Sequence, residues 1–161
     1  VAELSWFVRS AGEFEWWRDR PGGYVASFVE DRDAQVGVNL YVLEPGKPMS
    51  MYHWEGDQEG FLVLSGEALL VVEEEERQLR RWDYFHCPPG VPHTIVGAGS
   101  GPAVILALGA RGGGSEGGYP FSAVAMKHDA SAEADTEEVP VAYGRFPVEE
   151  RVEFRKEWLD G

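Results

Sequence analysis

The sequence predicts an all-β fold, an antiparallel sandwich or barrel, on two observations. Turn signals recur at short intervals through the middle of the chain, and the runs between them have strand length and strand composition. The turns fall at Glu44-Pro45-Gly46, Glu55-Gly56-Asp57, Ser65-Gly66, Glu74-Glu75, Pro88-Pro89-Gly90 and from Gly97 to Gly101. The runs are 36–43, 61–64, 68–72, 82–87, 94–96 and 104–108, rich in Val, Leu, Ile and aromatic residues. The density of Gly and Pro argues against short buried helices.

This region, residues 36–109, is expected to be the barrel core. Ahead of it, residues 1–35 read as an arm or extra strands. Tyr24-Val25-Ala26-Ser27-Phe28-Val29 alternates like an edge strand, and Glu13-Phe14-Glu15-Trp16-Trp17 suits a strand or a helical turn. The aromatic residues here suggest packing on the barrel or on a partner, and the expected arrangement is an extra strand that covers a sheet edge. Residues 110–146 read as a Gly-rich and acidic loop region. Gly112-Gly113-Gly114-Ser115-Glu116-Gly117-Gly118 has linker composition. Residues 129–138 are acidic, poor in apolar side chains, and expected to be solvated. Pro147 opens a last segment, 147–161, in which Val148, Val152 and Leu159 with Trp158 alongside suggest a short amphipathic helix. Such a helix would cap the barrel or contact a second subunit.

The totals set limits on function. At 161 residues and 43% hydrophobic, the chain suits one globular domain with terminal arms. No apolar run approaches the roughly 20 residues of a membrane helix. The first residues show no basic region followed by an apolar core, so no signal peptide is expected. The single cysteine, Cys87, excludes an intramolecular disulfide and fits a reducing, cytoplasmic setting. A net charge of −14 repels phosphate backbones and anionic membranes, so neither nucleic acid nor membrane is an expected partner. Arg77, Arg80 and Arg81 follow Glu73-Glu74-Glu75-Glu76 directly, and the two blocks are expected to neutralise each other across a hairpin. An anionic small molecule in a pocket with a metal remains compatible with this charge.

Four residues carry the chemistry. On a strand, positions i and i+2 share a face, so His53 and Glu55 project together. A tight turn at Gly56-Asp57 returns the chain, and Glu59 opens the next strand. The rigid Pro88-Pro89-Gly90 turn then leads to His93. Two imidazoles with a carboxylate and open positions suit Fe(II), Mn(II), Ni(II) or Zn(II). Glu55 adds a fourth ligand, a general base, or a partner that orients His53. Met51, Phe61 and Val63 share parity with these residues and are expected to line and dry the pocket. Tyr41 would add a polar handle. Cys87 is expected inside as a small buried hydrophobe, while His86 and His128 are expected at the surface.

The stretch from Gly46 through His53-Trp54-Glu55 and Glu59 to Gly66, followed by Pro88-Pro89-Gly90-Val91-Pro92-His93, resembles the two motifs of the cupin superfamily. The family pattern runs Gly, His-x-His, Glu and Gly in the first motif and ends Pro-x-Gly-x-x-His in the second. The resemblance implies a single double-stranded β-helix, or jelly-roll, barrel. It implies a divalent metal on His53, Glu59 and His93, and a homodimer built partly through the N-terminal strands. The chain departs from the pattern at Glu55, which replaces the second histidine. It departs again in the six residues between Gly46 and His53, and at Trp82, which replaces a glycine. Ligand number and metal identity therefore stay open.

The resemblance implies a metal-dependent enzyme of dioxygenase, decarboxylase or isomerase type, acting on a small organic or sugar-derived molecule. The alternative is a non-catalytic small-molecule-binding or sensing module, since fold alone does not decide function. A metal-free sugar-nucleotide epimerase ranks behind both, because no Asp stands beside His53 or His93.

Overall fold

The structure, a computed structural model, describes residues 6–31, 33–112 and 116–160. Twelve strands are described, with two short helices and two single 3-10 turns among them. They are β1 (Trp16–Arg18), β2 (Tyr24–Ser27), β3 (Val36–Leu43), β4 (Trp54–Glu55), β5 (Glu59–Ser65) and β6 (Glu67–Val72). Then follow β7 (Glu75–Arg80), β8 (Tyr84–Cys87), β9 (His93–Gly97), β10 (Ala103–Ala110), β11 (Gly117–Gly118) and β12 (Glu150–Val152). The helices are α1 (Ala123–Met126) and α2 (Val139–Tyr143).

Pairing is antiparallel throughout. A seven-stranded sheet runs β12-β1-β2-β3-β10-β5-β8, a three-stranded sheet runs β7-β6-β9, and β11 pairs with β4. The barrel interior lies between the two larger sheets. Leu43, Phe61, Val63 and Ile105 enter it from the large sheet, and Ala68, Leu70, Leu79 and Ile95 from the small one. These are the antiparallel β layers that the turn spacing predicts, in the jelly-roll arrangement that the motif resemblance implies.

Strands β3 and β10 are apolar on both faces, and the structure gives each face a cover. Tyr41 and Leu43 on β3, with Ile105 and Ala107 on β10, point into the barrel. Leu40 and Val42, with Val104 and Leu106, point the other way. That outer face is covered by Trp16 and Tyr24 from the N-terminal strands and by Trp158 from the C-terminal segment. Trp16 is 1% exposed, and its indole nitrogen donates to the Ala11 carbonyl at 2.9 Å. The extra-strand expectation for the N-terminal region therefore holds, with β1 and β2 added to β3.

The C-terminal helix does not form. Residues 150–152 are strand β12 on β1, and Lys156–Trp158 is one 3-10 turn. The reason is a two-residue apolar period: Val152 and Phe154 both pack on the Trp16 cluster, whereas Val148, the first position of the helical pattern, is exposed. Residues 116–146 also pack more closely than a loop region would. Ala130, Ser131 and Ala132 are buried, Tyr52 N donates to Ala130 O at 2.6 Å, and Arg145 donates to Ser131 O at 3.1 Å. Within the Gly-rich stretch, residues 113–115 lie outside the described residues. The basic and acidic blocks do not neutralise each other across the hairpin. Glu73 and Glu74 form its turn, with φ of 48° and 66°, and Arg77 pairs with Glu75 on the same strand at 2.7 Å. Glu76 instead meets His128 at 2.7 Å, so that histidine is paired rather than free in solvent. Among the described residues, no helix is long and apolar enough to cross a membrane.

Because Trp16 anchors the outer core, Trp16→Ala is expected to lower stability by about 3–5 kcal/mol. Urea unfolding checks this, and an unchanged midpoint would show that the terminal strands contribute nothing to the barrel.

Candidate metal centre

The site begins with one chain segment laid along β9. Gly46 N donates to Gly97 O at 2.8 Å, and Met49 N to Ile95 O at 2.7 Å. Further along, His53 N donates to His93 O at 3.1 Å and His93 N returns to His53 O at 2.8 Å. A side chain at position 97 would come within 2.3 Å of Glu44 O, so this close approach requires glycine. Between Met49 and His53 the segment takes four steps while β9 takes two, so Ser50-Met51-Tyr52 bulges. Thr94 Oγ1 donates to Ser50 O at 2.7 Å and closes the bulge. The bulge absorbs the extra residue in the Gly46-to-His53 spacing.

The paired histidines are oriented alike. His53 Nδ1 lies 2.8 Å from Met51 O, and His93 Nδ1 lies 3.0 Å from Val91 O. A carbonyl only accepts, so each Nδ1 carries a hydrogen, and in the neutral ring each Nε2 presents a lone pair. The rings stand 5.0 Å apart. Glu59, the first residue of β5, completes the group: its carboxylate and one nitrogen of each imidazole lie within 4.8 Å of one another. His93 Nε2 is buried without a hydrogen-bond partner, yet it faces Glu59 Oε2 at 3.4 Å. Two acceptors at that distance require a proton or a cation between them.

Glu55 lies beside this group rather than in it. Its Oε1 is 3.3 Å from His53 Nε2, and its side chain is half exposed. The shared face of His53 and Glu55 is therefore as the strand parity predicts.

The electrostatics follow from burial. Burial pushes Glu59 up to about 7, and the Glu55 charge adds to this. Burial pushes His93 down to about 4, helped by His53. Phe61 and Phe85 pack against its ring at steep angles, 5.2 and 5.6 Å between centroids. Burial also opposes charge on His53, but Glu55 and Glu59 outweigh it and raise its pKa. When His53 takes up a second proton, on Nε2, it donates to Glu55 and holds that carboxyl below the usual carboxylate range. Buried Cys87 brings its sulfur to 3.3 Å from His93 Nδ1, and burial pushes its thiol up to about 12. It is a neutral packing residue, as expected, and His86 on the opposite face is exposed.

The group opens onto a cavity of about 320 Å³. The expected dry, apolar lining is not what forms. Phe61 and Tyr41 line it, but Met49 takes the place of Met51, because the bulge breaks the strand alternation. Val63 is fully buried opposite Ile105, one register step deeper in the core. Asp19, Asn39, Ser50, Arg111, Tyr119 and Tyr143 make the remaining wall largely polar. Gly37, Asn39 and Tyr41 are successive inward positions of β3, so parity alone could have found Asn39. Tyr119 follows β11 and reaches His53, with 5.9 Å between ring centroids. Tyr143 closes α2, and its hydroxyl accepts from Met51 N at 3.0 Å. Burial raises both Tyr41 and Tyr143, so their phenols act as hydrogen-bond donors.

The family model of the cupin domain matches residues 39–109. A sugar phosphate isomerase of the cupin superfamily from Silicibacter pomeroyi is 29% identical, with a TM-score of 0.52, over 56% of this chain and 60% of that one. The chain thus spans less than two thirds of that relative. A Cupin 2 conserved barrel domain protein from Salinispora arenicola is 21% identical, with a TM-score of 0.50, over 55% of this chain and 75% of that one. The cupin domain of an XRE family transcriptional regulator from Enterobacter cloacae is 23% identical, with a TM-score of 0.50, over 56% of this chain and 97% of that one. At these identities the last two likenesses concern the fold alone. No curated protein sequence matches the chain. The motif resemblance, the family match and the barrel agree: residues 39–109 of this chain form a cupin domain.

Proposed function

We propose that the chain is a metal-dependent enzyme of isomerase type, moving a proton within a small hydroxylated molecule. The observation that carries this reading is the convergence of two imidazole lone pairs and the Glu59 carboxylate, one of those lone pairs being buried and without a partner. His53, Glu59 and His93 are the residues that would hold the ion. Their nitrogen and oxygen donors suit Fe, Mn, Ni or Zn. When bound, a divalent ion polarises a carbonyl or hydroxyl oxygen of the ligand and lowers the cost of withdrawing a neighbouring proton.

The chain's own residues supply the rest. The two backbone carbonyls fix both imidazoles before any ion arrives, which orients the donors without reorganisation. Glu55 is the acid–base group: it lines the cavity, stays ionised, and is not one of the three converging donors. Tyr143 and Tyr41 present phenol hydrogens to ligand oxygens. The polar wall suits a hydroxylated ligand better than an apolar one. The similarity to a sugar phosphate isomerase supports the reaction type.

Elemental analysis of protein purified without added metal is expected to find about one divalent ion per chain, lost in both His53→Ala and His93→Ala. Sub-stoichiometric metal that is unchanged by either substitution sinks the metal reading. In deuterated water, NMR of the metal-loaded protein with a panel of aldoses and ketoses is expected to show exchange next to the carbonyl. Glu55→Gln should keep the metal and slow exchange by about 100-fold or more. Exchange at the wild-type rate in Glu55→Gln excludes it as the base, and a sugar that binds without exchange favours a binding module.

The metal-free protein gives a further test. Glu59 is raised in the folded state, so its contribution to stability is present below pH 4.5 and lost as pH rises through about 7. His93 is depressed to about 4, so its contribution is present above 6.5 and lost as pH falls toward 4. Glu59→Gln removes the first cost and gives His93 Nε2 a permanent N–H donor. With chelator at pH 8, this variant is expected to be more stable than wild type by about 1–3 kcal/mol, with no gain at pH 4. Urea melts at the two pH values check it, and equal stability at pH 8 removes the electrostatic argument.

A further inference from the structure

Arg111 stands out in a cavity whose other charged groups are carboxylates. It lies one residue beyond β10, and its guanidinium is held by backbone rather than by an acid. Nη1 donates to Asp31 O at 2.5 Å and Nη2 to Val29 O at 3.0 Å. No ion pair reaches it among the described residues. Its position depends on Gly37, where a side chain would come within 3.0 Å of Arg111 Nε and 3.1 Å of Nη2. The fold therefore leaves out a side chain on β3 to seat this cation, and uses carbonyls that leave its charge unneutralised. In a chain with a net charge of −14, that arrangement needs an explanation beyond packing.

The register gives the backbone spacing between Arg111 and the metal group. Glu59 pairs with Gly109, and Ala107, Gly109 and Arg111 are successive cavity-facing positions. Two strand residues span about 7 Å. A small sugar or sugar acid bridges that interval, with one oxygen at the metal donors and its other end at Arg111. A divalent ion on two neutral histidines and one carboxylate leaves one positive charge, and Glu55 offsets it. Asp19 also lines the cavity, but burial disfavours its charged form. No ion pair among the described residues joins it to Arg111, whose guanidinium is held by carbonyls and keeps its charge for one anionic group. A planar guanidinium with free N–H donors recognises phosphate or carboxylate by paired hydrogen bonds.

We propose that Arg111 is the anion-recognition residue of this cavity, and that the ligand is a small polyhydroxylated molecule carrying one phosphate or carboxylate group. This rests on the metal-centre reading for the far end of the ligand.

The test is calorimetric titration of the purified protein with D-glucose, D-glucose 6-phosphate, D-ribose 5-phosphate and D-gluconate, with metal content measured on the same samples. At least one anionic probe is expected to bind ten or more times tighter than D-glucose. Preference for the phosphates or for D-gluconate identifies the anion. Arg111→Gln should abolish the preference without changing metal content. Arg111→Lys should keep part of it, and Gly37→Ala should weaken it by crowding the guanidinium. A wild type that binds none of the anions, or binds them no better than D-glucose, overturns the proposal. So does a preference that survives in both Arg111→Gln and Gly37→Ala. A metal-loaded protein indifferent to Arg111 overturns the anion site alone. A protein without metal whose anion preference still depends on Arg111 overturns the metal reading alone.

Discussion

The pair of backbone hydrogen bonds between His53 and His93 is the constraint on which the site depends. It ties the segment that follows β3 to the start of β9, and by doing so sets two imidazoles side by side. Each ring is then turned by a carbonyl two residues earlier in its own chain, Met51 O for one and Val91 O for the other. The same local device used twice aims both Nε2 atoms into one space. Glu59 meets them because β5 begins there, opposite Gly109 of β10. None of these placements relies on a side chain selecting a rotamer in solvent. Backbone pairing positions all three donors, which is why they can be held close together although their mutual repulsion opposes it.

That repulsion is sustained by packing elsewhere. Clustering acceptors in a buried space is unfavourable unless a cation or proton joins them. The barrel core under the site, from Leu43, Phe61, Ile95 and Ile105, holds the walls in place. The large sheet that forms one wall would expose its back face if the chain were the cupin domain alone. Leu40, Val42 and Val104 need the cover that Trp16, Tyr24 and Trp158 provide. The terminal segments are thus part of the same folding unit, and the β1–β12 pairing joins the two ends of the chain across the sheet edge. The flanks also reach the cavity directly. Asp19, Tyr119 and Tyr143 all lie outside residues 39–109, so the ligand-facing wall is partly built by sequence beyond the domain that holds the metal donors.

How far the sequence could be read follows from the range over which its signals act. Turn chemistry and strand alternation are local, so the barrel and the extra N-terminal strands were legible. So was the convergence of His53, Glu59 and His93, because Glu59 and His93 each open a strand after a recognisable turn and His53 sits in the motif spacing that precedes them. The C-terminal strand was not, because Val148, Val152 and Leu159 happen to fit a helical spacing. What decides is Phe154 beside Val152, both drawn to an aromatic cluster more than a hundred residues away in sequence. The polar lining was hidden for two reasons. The Ser50-Met51-Tyr52 bulge shifts parity without changing composition, exchanging Met51 for Met49. Tyr119 and Tyr143 arrive from segments whose composition reads as loop, and only tertiary packing brings them to His53 and Met51.

Glu55 shows what one departure from a pattern does to chemistry. Where relatives of the motif carry a second histidine, a neutral donor, this chain carries an anion on a short strand paired with β11. The strand is two residues long and its carboxylate is half exposed, so Glu55 is held less firmly than Glu59. It leans on His53 and does not converge with the other donors. The loss of a ligand from the converging set leaves more of an ion's coordination open to a bound molecule. The gain of a carboxylate beside that opening supplies a group of opposite character, one that takes protons rather than sharing the ion. A histidine there would have strengthened metal binding. On the proposed reading a glutamate divides the work, with His53, Glu59 and His93 for holding and Glu55, which lines the same cavity, for proton movement.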